Sequence, residues 1–303
     1  MRRSFWLVPC ALAVSCAVSC SVDRETQITV ALQSETEVPA ELDSFVVRVT
    51  AMRTSEVRFQ QEYPARTGNE FPTTLAVVPA DEDSLGSPVK IEIEGKRQNA
   101  TILTRTSIAS YVEGRNLLLS MPLRMACFQF KDCGAGFTCR GGQCVTAEET
   151  PLVDYDAKYI SPDSAGCFDE EKCLATKTEV TVAEDCTFPI ATAEPVNVAI
   201  RWAAAPNRLL ALDSGDKQEG WTRLSADRGQ LSAGACDSHF QRKDEKGNLK
   251  VSDWAKQIYV TTGCTAKSGL VPYCRSATTG HAGIGAASQR PSSPPMSVRR
   301  ARW

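Results

Sequence analysis

Histidine is scarce in this chain, since His239 and His281 are the only two among its 303 residues. This scarcity excludes a metal centre built from several histidines and leaves few candidates for acid-base catalysis. A surplus of positive charge is also lacking, because 34 Lys and Arg face 36 Asp and Glu. Binding to a phosphate backbone depends on basic side chains, so we expect no nucleic-acid partner.

The sequence also lacks the short motifs that mark common catalytic sites. It contains no G-x-S-x-G elbow, no G-x-x-x-x-G-K-[ST] loop and no H-E-x-x-H pair. Asp237, Ser238 and His239 are the residue types of a catalytic triad, but side chains that follow one another along the chain cannot converge as a triad does. The sequence therefore predicts no catalytic residue, no metal site and no cofactor.

The apolar stretch at residues 5–18 is too short to span a membrane. It follows a basic start and is interrupted by a polar run, whereas a spanning helix needs about 20 apolar residues. A short basic start followed by a short apolar stretch is typical of a secretory signal peptide. We therefore expect the chain to be exported.

The sequence A-V-S-C occurs twice near the end of this stretch, at residues 13–16 and 17–20. Each copy resembles the lipobox of bacterial lipoproteins, whose cysteine is diacylated. Cleavage before Cys20 leaves ten other cysteines to pair, whereas cleavage before Cys16 leaves an odd number. An ordinary signal-peptidase cut after Ala13 would leave an even number, but the apolar stretch before it is too short. The prediction is a signal peptide over 1–19 and lipidation of Cys20.

Ser21 follows the predicted lipidated cysteine. An aspartate at this position often marks retention at the inner membrane, so a serine favours sorting to the outer membrane. Two or three acyl chains on one cysteine hold a protein more durably than the marginal binding of a single chain. We expect a lipid-anchored protein on the periplasmic or cell-surface face, with the membrane and a cell-surface glycan or protein as partners.

Short apolar runs separated by turn residues fill the next hundred residues. Several of them alternate with period two, as Ile28, Val30 and Leu32 do. The predicted strands lie at residues 26–32, 45–52, 57–59, 74–78, 89–93, 102–106 and 117–123. Seven short strands, with no segment that shows the apolar periodicity of an amphipathic helix, predict a β-sandwich domain over 20–124.

Thirteen cysteines indicate an oxidising compartment. Four of them form a C-x5-C-x5-C-x4-C unit in a small module over 125–147: Cys127, Cys133, Cys139 and Cys144. Zinc sites use closer pairs, so the spacing favours disulfides. Of the three pairings, Cys127 with Cys139 and Cys133 with Cys144 is favoured.

Six further cysteines lie in residues 148–274, where candidate strands predict a second, disulfide-rich and mainly β domain. They are expected to pair within that domain: Cys167, Cys173, Cys186, Cys236, Cys264 and Cys274. Sixteen of the last 29 residues are Gly, Ala, Ser or Pro, and none is acidic. This composition predicts a disordered tail over 275–303 that makes no contact with the fold.

Two groups of residues in the second domain could bind a ligand, although a structural role is expected for both. The acidic residues of its first part are expected to be solvated, with irregular calcium binding as the alternative; they are Asp154, Asp156, Asp163, Asp169 and Glu170. The tryptophans are expected in the core, with stacking on sugars as the alternative; they are Trp202, Trp221 and Trp254.

The lipobox, the sandwich and the run C-x5-C-G-x-G-x-T-C-R-G-G-Q-C-V together resemble the cysteine-rich outer-membrane lipoproteins of myxobacterial type. The segments around Glu219-Gly220-Trp221 and Pro272-Tyr273-Cys274 are similar to that group as well. The resemblance implies an anchored protein with a structural, adhesive or ligand-binding role and no evident catalysis. The alternative is a secreted hydrolase of carbohydrate or cell wall, or a carbohydrate-binding module. A hydrolase would need two facing carboxylates about 5 to 9.5 Å apart.

Overall fold

The structure is a computed structural model that describes residues 25–36, 38–65, 71–81, 84–128, 132–149, 151–157, 167–191, 195–202, 208–240 and 257–273, with the backbone of 300–301. The described chain is mainly β with two short helices. The predicted signal peptide, Cys20, Cys274 and Trp254 lie outside the described residues.

The first part of the chain forms two sheets that share one core, so the predicted β-sandwich is confirmed. One sheet has the order β10-β7-β1-β4-β18, with β1 Gln27–Ser34, β4 Thr73–Val77, β7 Asn116–Leu123, β10 Val153–Asp154 and β18 Arg300–Ala301. The other has the order β3-β2-β5-β6, with β2 Ser44–Ala51, β3 Glu56–Pro64, β5 Val89–Arg97 and β6 Ala100–Ala109.

Alternation along the strands decides which side chains enter this core. On β1, Ile28, Val30 and Leu32 are buried in it, and their partners on the parallel strand β7 are the alternating apolar residues of the predicted strand at 117–123. Burying each such side chain stabilises the fold by about 1.5–3 kcal/mol. On β5 the odd-numbered residues face the core, which turns Glu92 and Glu94 to the outer face.

The cysteine-rich module is a hairpin that lies along the sandwich edge. A single 3-10 turn at Met125–Cys127 leads into β8 (Phe137–Arg140) and β9 (Gln143–Thr146). Gly141 and Gly142 both have positive φ, at 53° and 82°, which a two-residue hairpin turn of this type requires. The disulfides Cys127–Cys139 and Cys133–Cys144 close the module.

The second domain is also mainly β, as predicted. A four-stranded sheet has the order β11-β17-β13-β14, with β11 Thr178–Val180, β13 Val196–Arg201, β14 Leu209–Leu212 and β17 Gln257–Thr262. A three-stranded sheet has the order β12-β16-β15, with β12 Thr187–Pro189, β15 Trp221–Ser225 and β16 Arg228–Leu231. The short helices are α1, Glu170–Cys173, and α2, Ala233–His239. Disulfides Cys173–Cys264 and Cys186–Cys236 tie these elements together.

Two short strands differ from the sequence expectation. β10 falls in the segment assigned to the second domain, yet it pairs with β7 of the sandwich. β18 belongs to the tail that was expected to make no contact, yet its backbone pairs in parallel with β4. The reason is the same in both cases, because the outer strands β7 and β4 present unpaired backbone groups that another strand can bond. The rest of the tail lies outside the described residues.

Candidate functional site

Four charged side chains form a buried network where the sandwich meets the second domain; we call Glu35, Arg124, Asp213 and Lys267 the junction network. Arg124, which follows β7, donates to Oε1 of Glu35 at 2.6 Å and to Oδ2 of Asp213. Nζ of Lys267 donates to the other oxygen of Asp213 at 2.6 Å. None of the four is more than 9% exposed. The network therefore joins the two domains through charges shielded from solvent.

Charge pairing keeps Asp213 and Arg124 ionised in this network, whereas burial lowers the pKa of Lys267 although Asp213 opposes that shift. Burial alone would raise the pKa of Asp213, but the positive charges of Arg124 and Lys267 outweigh burial and hold that pKa below its ordinary value. Burial also opposes the charge on Arg124, and Asp213 and Glu35 nevertheless raise its pKa well above the ordinary value. Removing one partner of such a pair leaves a buried charge uncompensated.

A second buried ion pair connects all three parts of the molecule. Arg105 lies on β6 of the sandwich, and its Nη1 donates at 2.8 Å both to Oε1 of Glu219 in the second domain and to the carbonyl oxygen of Cys139 in the hairpin. Beside it, Arg140 of the hairpin pairs with Glu149. Burial, together with the charge of Arg105, lowers the pKa of Arg140 to about 10. The hairpin is thus held between the two domains.

Close backbone packing fixes the same junction. A Cβ added at Gly234, near the start of α2, would overlap the carbonyl oxygen of Gly141 in the hairpin turn. A Cβ at Gly141 would in turn overlap the carbonyl oxygen of Gln218. The hairpin turn therefore contacts the second domain backbone to backbone, which leaves no room for a side chain.

The hairpin also forms one wall of an open cavity, which we call the hairpin groove. Its volume is about 370 Å³, near the lower end of the size range of ligand sites. The floor is the outer face of β5 and β6, and it consists of Lys90, Glu92, Glu94, Thr104 and Thr106. The wall is the hairpin loop at residues 132–138.

The wall of the groove is fixed to its floor. The hydroxyl of Thr138 accepts a hydrogen bond from the backbone N–H of Thr106 at 2.8 Å. Within the loop, Oδ1 of Asp132 accepts from the N–H of Gly134 at 2.7 Å, and Cys133 is linked to Cys144. A groove held in this way loses little conformational freedom when a ligand binds.

The carboxylates on the floor form ion pairs. Nη1 of Arg48, on the neighbouring strand β2, lies 3.0 Å from Oε1 of Glu94 and 3.9 Å from Oε2 of Glu92. Nζ of Lys90 lies 2.9 Å from the same oxygen of Glu92. Among the described residues, these ion pairs use one oxygen of each carboxylate, Oε2 of Glu92 and Oε1 of Glu94. The floor therefore offers fixed hydrogen-bond acceptors with little net negative charge.

A second cavity, of about 50 Å³, opens at one end of the sandwich. Apolar side chains such as Val49 and Val89 line it, with Arg53 and Arg58 beside them. Arg58 is already paired with Glu56 at 2.8 Å. Burial raises the pKa of Tyr111, which also lines the cavity. This cavity offers fewer converging polar groups than the hairpin groove does.

Comparison of the chain with family models, with curated proteins and with solved structures found no match. No helix in the described part of the chain is long and apolar enough to cross a membrane. Within the same residues, no group of three or more His, Cys, Asp or Glu side chains is placed to hold a metal ion.

The predicted cysteine sites are oxidised wherever the structure describes them. The pairing of Cys127 with Cys139 and of Cys133 with Cys144 is the one that the spacing favours. Every described cysteine takes part in a disulfide, Cys167 included. The predicted lipidation site Cys20 stays a prediction.

The acidic candidates form no metal-holding group of three or more among the described residues, and Asp163 lies outside them. Asp154, on β10, pairs with Arg115 at 2.8 Å, whereas Asp169 caps α1 by accepting from the N–H of Lys172. Trp221 is 2% exposed and belongs to the core of the second domain. Trp202 packs edge-on against Phe128. The buried Trp221 is therefore a core residue and not an open sugar platform, whereas Trp202 is half-buried.

The junction network was missed by the sequence reasoning. Arg124 and Asp213 are 89 residues apart, and Asp213 and Lys267 are 54 apart. No local motif marks any of them, since each is a single charged residue beside a strand or in a loop. A buried charge pattern of this kind is defined by tertiary contact alone.

Proposed function

We propose that this chain is an exported lipoprotein, anchored at the outer membrane by acyl chains on Cys20, with a structural, adhesive or ligand-binding role and no catalysis. The observation that carries the proposal is the A-V-S-C sequence at residues 17–20, which directly follows a signal-peptide-like stretch. Oxidation of every described cysteine supports it, because disulfides persist in oxidising compartments outside the cytosol.

The geometry of the molecule fits a rigid scaffold that holds a binding surface in place. Buried ion pairs join the three parts, disulfides close the hairpin and the second domain internally, and the hairpin groove lies on the surface of the sandwich. A rigid, water-exposed groove suits recognition of a ligand, since little ordering is needed on binding.

A carbohydrate-directed hydrolase is the second candidate, and the observation that favours it is the pair Glu92 and Glu94 in one groove. Glycoside hydrolysis needs one carboxylic acid that donates a proton. In this groove both carboxylates already pair with Arg48, an arrangement that suits hydrogen-bond acceptors better than a proton donor. We therefore favour binding without bond cleavage.

Metabolic labelling with a palmitate analogue in a bacterial host tests the anchor. We expect the full-length wild type to be labelled and Cys20→Ala to be unlabelled. Cys16→Ala is the matched control, because it removes the cysteine of the other A-V-S-C copy, and it should be labelled like the wild type. Label on Cys20→Ala, or no label on the wild type, would contradict the proposal.

A further inference from the structure

The hairpin groove combines features that single out one class of ligand. Its floor carries two threonine hydroxyls and two carboxylates on adjacent strands, and an aromatic ring stands in its wall. We propose that this groove binds a neutral carbohydrate. The inference rests on the ligand-binding role proposed above and is independent of the lipid anchor.

The floor matches the hydrogen-bonding pattern of a sugar. Each sugar hydroxyl both donates and accepts, and carboxylates only accept. Glu92 pairs in register with Thr106, and Glu94 with Thr104, so acceptors and hydroxyls alternate on one face of β5 and β6. A row of sugar hydroxyls meets complementary groups along this face.

The charge balance of the floor favours a neutral ligand over a cationic one. Arg48 and Lys90 already lie within ion-pair distance of Glu92 and Glu94. A basic peptide or a cation would have to compete with these two fixed charges. A neutral hydroxyl-bearing ligand needs only the second oxygen of each carboxylate, and burying it adds no charge to the groove.

Phe137 supplies the apolar contact that a pyranose face requires. Its side chain is 50% exposed, although it lines the groove and belongs to a disulfide-closed hairpin. Next to it, Gly134, Ala135 and Gly136 present little side-chain bulk. Phe137 is therefore the exposed aromatic residue at the rim of the groove, and an exposed aromatic gains contact area when a ligand covers it.

Binding of full-length protein, purified in detergent, to an array of neutral and anionic oligosaccharides tests the proposal. We expect at least one neutral glycan to bind, and that glycan to be followed by calorimetry. Phe137→Ala should weaken its binding about tenfold. Leu224→Ala is the matched control, because Leu224 is similarly exposed, at 53%, and lies on β15 away from the groove. This variant should bind the glycan like the wild type.

A second pair of variants tests the floor. Glu94→Gln removes an ion pair with Arg48 and should also weaken binding about tenfold. Glu56→Gln removes the comparable ion pair with Arg58 on β3 and should leave binding unchanged. Cys20→Ala should bind like the wild type, which separates failure of the anchor from failure of the groove. Absence of any bound glycan, binding only to anionic glycans, or binding by both groove variants that equals that of the wild type would overturn the proposal.

Discussion

Glu170 carries a carboxyl group whose charge state changes near neutral pH. Burial raises its pKa to about 7, although the charge of Arg208 opposes the shift. Its Oε1 is buried without a hydrogen-bond partner among the described residues. A carboxylate at this position is therefore disfavoured in the folded state.

The raised pKa gives stability a definite dependence on pH. In the unfolded chain Glu170 ionises near its ordinary pKa of 4.5, so below that pH the folded and unfolded states bind the proton equally. As pH rises from there to about 7, the unfolded state loses its proton first and the folded state is destabilised. Glu170→Gln should thus raise the free energy of unfolding by up to about 3 kcal/mol at pH 8 and leave it unchanged at pH 4.

Urea unfolding of Glu170→Gln and wild type at the two pH values measures this difference. Glu171→Gln is the control, because the side chain of Glu171 is exposed, and this substitution should show no effect at either pH. An equal gain at pH 4 and pH 8 would mean that the change acts through packing and not through the charge of Glu170.

Single residues divide into those that the sequence could assign and those that it could not. The disulfides of the hairpin could be predicted, because Cys127 and Cys139 lie close in sequence and few pairings compete. Arg124 and Asp213 could not, since charged residues are usually solvated and only the folded structure shows that both are buried. The same holds for the groove, whose floor and wall come from separate parts of the chain.

At the scale of elements, the contact between α2 and the hairpin turn has an unusual consequence. Alanine normally replaces a helical glycine with a gain in stability of up to about 1 kcal/mol. At Gly234 the new Cβ would overlap the carbonyl of Gly141, and backbone atoms at that site cannot move aside as a flexible side chain does. The usual effect of the substitution should therefore be reversed.

We expect Gly234→Ala to lower the free energy of unfolding by about 1–3 kcal/mol, the usual cost of overpacking. Chemical denaturation measures it. Gly86→Ala is the control, because a Cβ at Gly86 meets nothing within 4 Å and its free energy of unfolding should stay close to that of the wild type. A stabilised Gly234→Ala protein would show that the hairpin can move away from α2.

The strands differ in how well the alternation of apolar residues in the sequence predicted them. β1, β5 and β7 have a regularly alternating set of apolar residues, and each lies where the sequence placed it. β3 extends well beyond the predicted strand at 57–59. The sequence did not predict the rest of the strand, because most of its residues are exposed and polar. β10 and β18 have two residues each and exist only through pairing with a sheet edge, so no local pattern marks them.

At the scale of the whole molecule, the sandwich, the hairpin and the second domain share their buried charges. Arg105 bonds to Glu219 and to the hairpin, and Arg124 bonds to Asp213. If one domain unfolds, the charges left in the other lose the partners that hold them in the folded protein. Each domain therefore raises the free energy of opening the other, which couples their unfolding.

This coupling predicts that the oxidised wild-type protein unfolds in one calorimetric transition, although chains with several domains often show more. Arg124→Met leaves Glu35 and Asp213 buried without their shared partner, so it should lower the free energy of unfolding by about 3–5 kcal/mol and separate the transition into two. Arg115→Met is the matched control, because Arg115 forms an exposed pair with Asp154, and it should change the free energy of unfolding by less than about 1 kcal/mol. Two transitions in the wild type, or a single unshifted one in Arg124→Met, would show that the buried charges do not couple the domains.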